Sequence, residues 1–323
     1  MPAQHLPVLI NEAVDALQLK PGHNVIDCTA GGGGHSKSIL QQTAPDGKLL
    51  AIDLDTVALE QSKKKLRQYH NRVTFVNDNF ANLKQIHNEQ FSVSKVNGIL
   101  LDLGISSLEL EDLDRGFSFQ HDGPLDMRFN KQQSLTAAEI VNTWPFDKLK
   151  KAIQEYGQEP LAVEITKALL SKRRNGPITK TKKLVEVILL AYRNKLGSHK
   201  EVPWIGGAHP ATRTFQALRI AVNGELDNLQ KALPQAIDLL EKGGRIAVIS
   251  FHSLEDRIVK HFFKREAVDC ICATEVPVCQ CNHTASLNII TKKPIIPSSE
   301  EIQTNPRSRS SKLRVAEKQY NKK

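Results

Sequence analysis

A run of four glycines at positions 31–34, followed by His35 and Ser36, is the first feature of the sequence that could do chemistry. Glycine loses more conformational freedom on folding than any other residue, so such a run indicates that the fold needs bare backbone here. Two phosphate-binding patterns fail at the same residue. The P-loop requires a glycine immediately before Lys37, and the dinucleotide pattern G-x-G-x-x-G requires its third glycine where Ser36 stands.

A third pattern fits completely. Asp27, Gly31 and Gly33 form D-x-x-x-G-x-G, the S-adenosylmethionine (SAM) loop of class I methyltransferases. In such a loop a Cβ would collide with the cofactor, and the N-terminus of the following helix offers amide groups to the carboxylate of SAM. Asp53 ends the next apolar run and is expected to bind the ribose hydroxyls. These features predict a nucleotide-type cofactor, and by themselves they leave NAD as an alternative to SAM.

The elements that must position these residues alternate along the chain as apolar runs and amphipathic stretches. The apolar runs predict strands at 24–29, 48–55, 72–78, 97–104, 242–251, 287–295 and 311–318. The first helix is expected to begin near Ser36, and the closing strand is expected to be antiparallel. The pattern predicts an α/β fold with a Rossmann-like, mostly parallel seven-stranded sheet, which binds its ligands at the carboxyl ends of the strands.

Between residues 134 and 200 the sequence shows only helical patterns, including a capping box with Thr136 as the N-cap and Glu139 three residues later. A long amphipathic helix is predicted at 209–233, after which the strand pattern resumes. We therefore expect a cofactor-binding domain made of residues 1–108 and 209–323. A small helical domain, residues 109–208, is expected to be inserted into it.

The composition indicates a reducing compartment and a polyanionic partner. The net charge is +9, and residues 145–200 hold 13 Lys and Arg against 5 Asp and Glu. Local basic excess favours a phosphate backbone as partner. Five cysteines in 323 residues argue against a disulfide framework. No apolar run is long enough for a membrane span and the N-terminus carries no export signal, so we expect a cytoplasmic protein.

Seven stretches, in order along the chain, resemble the RsmH (MraW) family of bacterial methyltransferases. They are HLPVLINEAVDAL, DCTAGGGGHS, LLDLGISSLELEDLDRGFSF, DGPLDMR, HPATRTFQALRIAVNGEL, SFHSLEDRIVK and NPRSRSSKLRVAEK. The resemblance runs from His5 to Lys318, and RGFSFQHDGPLDMR and SFHSLEDRIVK are its most specific stretches. It implies a SAM-dependent enzyme that methylates the N4 amine of a cytidine in the decoding region of 16S rRNA, in the small ribosomal subunit.

The same resemblance implies the residues of the site. Contacts with SAM are implied for Gly33, Gly34, His35, Asp53, Phe80, Asp102 and Glu109. Phe80 would pack against the adenine, and Asp102 would line the methyl-transfer site. Glu109 stands where the family typically has a glutamine. A carboxylate accepts hydrogen bonds but cannot donate them, so this contact differs from that of the family.

The residues also favour one type of methyl transfer over another. Methylation of cytosine at C5 needs a cysteine nucleophile, commonly one after a proline, and none of the five cysteines follows a proline. Transfer to an exocyclic amine needs alignment and a proton acceptor instead. Many amino-methyltransferases have an Asp/Asn/Ser-Pro-Pro-Tyr/Phe loop after the fourth strand, where this chain has DLGISS, beginning at Asp102. We expect Asp102, alone or with a backbone carbonyl near Gly104, to be the acceptor.

Basic residues within the predicted insertion and just after it are candidates for RNA contacts. Four arginines are candidate phosphate contacts and equally candidate salt-bridge partners: Arg115, Arg128, Arg213 and Arg219. The stretch SKRRNGPITKTKK at 171–183 would face RNA, and Lys172, Arg173 and Arg174 would touch phosphates.

Two further clusters could suggest other chemistry. SFHSLEDR resembles a hydrolase constellation, but Ser253 with Asp256 three residues later is expected to be a capping box. Four cysteines at 270, 272, 279 and 281 with His283 could bind a metal. Their C-x-C spacing is tighter than that of the usual zinc knuckle, so we expect a reduced loop and no metal.

Three other functions remain alternatives at this point. They are a SAM-dependent methyltransferase of another RNA, protein or small-molecule acceptor, an NAD-dependent dehydrogenase, and an RNA-binding module with a relic cofactor pocket. Naked rRNA and an assembled subunit are both open as substrates, and so are a monomer and a homodimer.

Overall fold

The computed structural model describes residues 7–106, 109–110, 112–197, 202, 209–273, 276 and 278–319. The chain divides into two compact units: unit 1 is Met1–Gly104 with Leu226–Lys323, and unit 2 is Ile105–Glu225. The boundaries expected from the sequence, 108 and 208, both lie outside the described residues. Unit 2 extends well beyond 208, because the helix that follows this position packs with the helices of the insertion.

The strands of unit 1 form a single sheet. They are β1 Val25–Asp27, β2 Leu49–Asp53, β3 Val73–Asn77, β4 Val96–Asp102, β5 Leu240–Ser250, β6 Leu287–Ile289 and β7 Lys312–Lys318. Their order is β3-β2-β1-β4-β5-β7-β6, and among these seven β7 alone runs in the opposite direction to the others. The predicted mostly parallel seven-stranded sheet with an antiparallel closing strand is confirmed.

Twelve α-helices are described. In chain order they are α1 Ile10–Ala16, α2 Gly34–Gln42, α3 Thr56–Lys65, α4 Leu83–Gln90, α5 Ala137–Thr143, α6 Phe146–Gly157, α7 Ala162–Arg173, α8 Thr181–Leu196, α9 Thr212–Asn223, α10 Glu225–Leu239, α11 Ser253–Glu266 and α12 Ser299–Thr304. Short 3₁₀ helices span Arg67–Arg72, Phe80–Asn82 and Pro306–Ser310.

The sheet is buried on both faces, which determines where polar residues can stand. Leu50 and Ile52 of β2 enter one apolar cluster with side chains of α4, α10 and α11, while Leu49 and Ala51 enter a second cluster with α1, α2 and α3. Successive side chains of a strand point to opposite faces, so every interior position of such a strand must be apolar. Polar side chains are therefore confined to strand ends, and β1, β2 and β4 each end in an aspartate.

Unit 2 is built from α5 to α9 around one apolar cluster of its own. The single helix predicted at 209–233 is wrong: Gly224 adopts a φ of +61° and ends α9, and α10 begins at the next residue. Helix α9 buries Phe215, Leu218 and Val222 in the cluster of unit 2. This apolar face explains why α9 belongs with the insertion rather than with the sheet.

The stretch RGFSFQHDGPLDMR folds inside unit 2. Phe117, Leu125 and Met127 are buried in the cluster, and the guanidinium of Arg115 donates to the carbonyls of Arg128 and Phe129, each at 2.9 Å. The predicted N-cap of α5 is confirmed, since the Thr136 hydroxyl accepts from the Glu139 amide at 3.1 Å. The described residues contain no helix long and apolar enough to cross a membrane.

Candidate active site

The loop between β1 and α2 is held by Asp27, which is fully buried. Its Oδ2 accepts from the Ser36 hydroxyl at 2.6 Å and its Oδ1 from the Thr29 amide at 3.2 Å. Thr29 in turn accepts from the Asp102 amide at 2.6 Å through its Oγ1. The ends of β1 and β4 are thus linked by side-chain hydrogen bonds, and Ser36 is needed as a donor where the nucleotide motifs would have a glycine.

The four glycines of the loop have different physical roles. Gly31 and Gly33 adopt φ values of +49° and +76°, which other residues rarely adopt. A Cβ at Gly33 would lie 2.7 Å from Ser62 Oγ, and one at Gly34 would lie 2.1 Å from Pro7 Cγ. At Gly32 a Cβ would meet no atom within 4 Å. The bare backbone that faces open space is therefore at Gly32, whereas Gly33 and Gly34 allow the chain to pack on itself.

Helix α2 begins directly at the end of this loop. Its N-cap is Gly33, which has no side chain to accept from the amides of the first turn. The N-terminus of a helix has a partial positive charge and unpaired N–H groups, which together favour an anionic ligand. A carboxylate near Gly34 is the kind of group that this end of the helix would bind.

Asp53, at the end of β2, fixes the other side of the loop. Its Oδ2 accepts from the Gly31 amide at 2.7 Å and its Oδ1 from the Asp55 amide at 2.8 Å. A carboxylate oxygen has two lone pairs, so each oxygen can still accept a hydroxyl from a ligand. Asp53 therefore both shapes the glycine loop and has the capacity expected of a ribose-binding residue.

Asp102, at the end of β4, lies next to His35. Their closest atoms, Asp102 Oδ2 and His35 Nδ1, are 3.5 Å apart. His35 is buried, and its Nε2 lies 3.0 Å from the carbonyl oxygen of Val8. Because a carbonyl can only accept, Nε2 must carry a proton, and a proton is then needed on either Nδ1 or Asp102. The other oxygen of Asp102, Oδ1, is buried and has no hydrogen-bond partner among the described residues.

Burial raises the pKa of all three strand-end aspartates. It raises the pKa of Asp27 and of Asp53 to about 6, against the hydrogen bonds that each accepts. The pKa of Asp102 is raised well above its usual value, first by burial and then by the negative charges of Asp27 and Glu255. A carboxylate in such surroundings is a stronger proton acceptor than one in water.

Glu255 lies in the first turn of α11 and binds backbone amides there. Its Oε2 accepts from the amides of Phe251 and His252 at 2.8 and 3.2 Å, and its own amide donates to His252 Nδ1 at 3.4 Å. The capping box of α11 is therefore His252 with Glu255, and the expected pair Ser253 with Asp256 is wrong by one position. Asp256 instead pairs with Arg314 at 2.6 Å. The signal was present, because S/T/D/N-x-x-E also describes the spacing from His252 once histidine is accepted as a cap.

Phe80 and Glu109 are placed in different units. Phe80 begins a 3₁₀ helix after β3 and packs, partly buried, against the cluster that contains Leu83 and Ile86. Glu109 lies in unit 2, where it is buried, accepts from the Ser106 amide at 2.8 Å and lies 3.5 Å from Arg115. The cationic Arg115 thus lies beside Glu109, the carboxylate at the position where the resemblance implies a glutamine.

The candidate phosphate-binding arginines have partners inside unit 2. Arg128 pairs with Asp126 at 2.8 Å and Arg219 with Glu225 at 2.8 Å, both through two hydrogen bonds. Arg115 is buried, and Arg213 donates to the Gln158 carbonyl at 3.3 Å. Of the two interpretations open for these arginines, the salt-bridge partner describes Arg128 and Arg219.

Comparison with known proteins gives one consistent result. The model of the MraW methylase family matches residues 2–319. Proteins named ribosomal RNA small subunit methyltransferase H are similar over nearly the whole chain. The one from Dehalococcoides mccartyi is 50% identical over 97% of this chain and 86% of its own length, and the one from Clostridioides difficile is 46% identical over 98% of this chain and 100% of its own. That of Heliobacterium mobile is also 46% identical over 98% of this chain and 100% of its own.

The variants Gly32→Ala and Gly34→Ala distinguish a glycine that leaves room for a ligand from one that the packing of the chain requires. A Cβ at Gly32 meets no atom within 4 Å, so we expect this variant to keep the wild-type melting temperature and to bind SAM at least about tenfold more weakly. A Cβ at Gly34 collides with Pro7, so this variant should melt at a lower temperature. Differential scanning fluorimetry and isothermal titration measure both effects. Wild-type affinity in Gly32→Ala would contradict a cofactor lying on this backbone.

Asp27→Asn tests the buried carboxylate through the pH dependence of stability. The folded pKa of about 6 lies above the ordinary value of 3.8, so folding takes up a proton and the free energy of unfolding falls as pH rises between these values. Asparagine does not titrate and still accepts from Ser36. We expect the variant to gain stability relative to wild type from pH 4 to pH 6, by on the order of 2 kcal/mol, and no further above. Urea unfolding at four pH values measures it, and a constant difference would contradict the raised pKa.

Proposed function

The chain belongs to the MraW methylase family, and from this premise we propose that it transfers a methyl group from SAM to the N4 amine of a cytidine in the decoding region of small-subunit (16S) rRNA. The relatives that support the proposal are named for methylation of the same ribosomal subunit. The structural observation that carries it is Asp102, whose buried Oδ1 has no partner among the described residues and whose pKa is raised.

The described residues fit SAM as cofactor. The open backbone at Gly32 leaves room for its methionine and ribose portions, and the uncapped N-terminus of α2 suits its carboxylate. Asp53 has free lone pairs for the ribose hydroxyls, and Phe80 would pack against the adenine. We propose that these residues, with Gly33, Gly34 and His35, hold the cofactor. When bound, SAM supplies an electrophilic methyl group.

Asp102 is the proposed proton acceptor. The N4 lone pair of cytosine is conjugated with the ring, so the amine is a weak nucleophile. The methyl group would leave the sulfonium sulfur of SAM, which would keep the electron pair of the broken bond and become a neutral thioether. As the new N–C bond formed, the nitrogen would become positively charged and its protons acidic. The Asp102 carboxylate then accepts one of them, which stabilises the transition state by an amount that depends on how strong a base the carboxylate is. The raised pKa of Asp102 makes it a stronger base than an ordinary carboxylate.

His35 is the proposed positioning residue for this acceptor. The Val8 carbonyl fixes one ring nitrogen at 3.0 Å, and the other nitrogen lies 3.5 Å from Asp102 Oδ2. With Oδ2 held in this way and the Asp102 amide bound to Thr29, the free oxygen has a defined position. The contact with the cofactor implied for His35 would then come from its backbone, since its buried ring is used within the protein.

Unit 2 is the proposed RNA-binding part of the chain. Arg128 and Arg219 are paired inside unit 2. The basic side chains at the C-terminal end of α7 are therefore the remaining candidates for phosphate contact. Lys172 and Arg174 are half-buried and exposed, respectively. Arg173 differs from both, since its guanidinium donates to the carbonyls of Val141 at 3.0 Å and Trp144 at 2.9 Å. The target cytidine must be unstacked or single-stranded when it reacts.

The alternative is a SAM-dependent methyltransferase of another RNA or protein acceptor. It shares the cofactor site and differs only in what reaches Asp102. Mapping of modified nucleosides in ribosomal RNA separates the two proposals, because only the first requires a change in the small-subunit RNA when the gene is removed.

A gene deletion complemented with wild type or Asp102→Asn tests the proposal and the acceptor together. We expect the deletion to lose one N4-methylcytidine of 16S rRNA, the wild type to restore it, and Asp102→Asn to have a kcat about 10²–10⁴-fold lower, measured at saturating SAM. In the wild type, kcat should rise with pH through the raised pKa of Asp102, because only the carboxylate accepts a proton. Asp102→Asn should lack this limb. An unchanged N4-methylcytidine site in the deletion would refute the function, and near-normal kcat in the variant would refute the acceptor.

Lys172→Ala with Arg174→Ala tests the RNA surface, and Arg173→Ala is its matched control. If Lys172 and Arg174 contact phosphates, the double variant should bind small-subunit RNA more weakly. The slope of the logarithm of its binding constant against the logarithm of salt concentration should be smaller in magnitude by about 1 to 2. Arg173→Ala should instead lower the melting temperature, because two helix carbonyls lose their donor. Filter binding at several salt concentrations distinguishes these outcomes. A salt slope unchanged in the double variant would exclude this surface from the RNA contact.

A further inference from the structure

The segment between α11 and β6 brings four cysteine sulfurs together. The Sγ atoms of Cys270, Cys272, Cys279 and Cys281 all lie within 4.8 Å of one another. Cys279 and Cys281 are 3.5 Å apart and Cys281 and Cys270 are 3.9 Å apart, and all four are free thiols. The two C-x-C pairs therefore face each other across the loop, which their tight spacing in the sequence does not reveal.

These distances match a tetrahedral metal site. With Zn–S bonds of about 2.3 Å, the sulfurs of a ZnS₄ site are separated by about 3.8 Å along each edge of the tetrahedron. The Cys279–Cys281 and Cys270–Cys281 separations lie on either side of this value. A disulfide would instead need sulfurs about 2.05 Å apart. Four protein ligands close the coordination sphere, which is typical of a structural rather than a catalytic zinc site.

Backbone amides point at the same sulfurs. The amides of Ile271, Cys272 and Gln280 donate at 3.4 Å to the sulfurs of Cys281, Cys270 and Cys272, respectively. Hydrogen bonds to ligating atoms orient them and stabilise the negative charge of thiolates, so such bonds form the usual outer shell of a metal site. His283 does not join the cluster, because its Nε2 lies 3.0 Å from the Arg265 carbonyl. The donor set is thus four sulfurs.

The described part of the loop has no apolar core of its own. Unpaired cysteines are usually buried as small apolar side chains, yet Cys270 and Cys279 are exposed. Ile271 is 47% exposed and Val278 is 71% exposed. Between 267 and 286, no described residue belongs to any of the three buried apolar clusters. A segment without a core of its own needs a disulfide or a metal to take one structure.

We propose that Cys270, Cys272, Cys279 and Cys281 bind one Zn²⁺ in a closed structural site that fixes the connection between α11 and the edge strand β6. This proposal replaces the expectation of a metal-free loop, because the tertiary structure brings the two C-x-C pairs together, which their spacing in the sequence does not indicate. The site requires neither SAM nor RNA, so its test is independent of the methyl-transfer proposal.

Metal analysis of the full chain tests the site directly. Protein purified under reducing conditions without a metal-affinity tag should contain about one zinc per chain by plasma mass spectrometry. Cys272→Ser with Cys279→Ser should abolish this zinc, because two of four ligands are lost. His283→Ala is the matched control from the same loop and should keep it, because its ring is outside the donor set.

A second measurement does not depend on whether the cysteine variant folds. Wild-type protein, stripped of metal under reducing conditions and loaded with Co²⁺, should show the thiolate-to-cobalt charge-transfer band and the intense visible bands of a tetrahedral sulfur site. Zinc should displace the cobalt and protect four thiols from alkylation. Failure of the reduced chain to take up zinc or cobalt, iron in place of zinc in the purified protein, or loss of zinc in His283→Ala would each overturn the assignment.

Discussion

The hydrogen bond from Ser36 to the buried carboxylate of Asp27 is the interaction on which the candidate site depends. At 2.6 Å it fastens the first turn of α2 to the end of β1 across the glycine loop. The fully buried Asp27 needs such donors, because a carboxylate removed from water without hydrogen bonds is strongly destabilised. The two glycines with positive φ then allow the chain between these residues to turn tightly enough for the bond to form.

The sheet determines what surrounds this bond. Since both faces of β1, β2 and β4 are packed, their polar residues are placed together at the carboxyl ends of the strands. Burial raises the pKa of all three aspartates, and the negative charge of Asp27 raises those of Asp53 and Asp102 further. Asp53 uses both oxygens on backbone amides, whereas Asp102 keeps one oxygen without a partner among the described residues. The same strand-end chemistry thus yields one carboxylate that shapes the loop and another that is available for proton transfer.

The basic charge of the insertion is divided in a comparable way. Arg128 and Arg219 are paired with carboxylates, and Arg173 binds helix carbonyls, so these cations stabilise unit 2 itself. Lys172 is half-buried and Arg174 is exposed. Both flank Arg173 in sequence, and within the described part of the chain neither side chain pairs with a carboxylate or a carbonyl. A local excess of positive charge therefore overstates the surface that can meet a polyanion, because part of it is used in folding.

The sequence by itself determined the sheet, the cofactor loop and the family, because each rests on local patterns: apolar runs for strands, the spacing from Asp27 to Gly33, and motifs that resemble one family. It also placed Asp102 and Asp53 at strand ends. Only the tertiary structure decided the end of unit 2 after α9, the cap of α11 at His252, the inward use of the His35 ring and the internal partners of the arginines. It alone brought Cys270 and Cys272 to Cys279 and Cys281. These features depend on which residues distant in sequence become neighbours, and spacing along the chain does not carry that information.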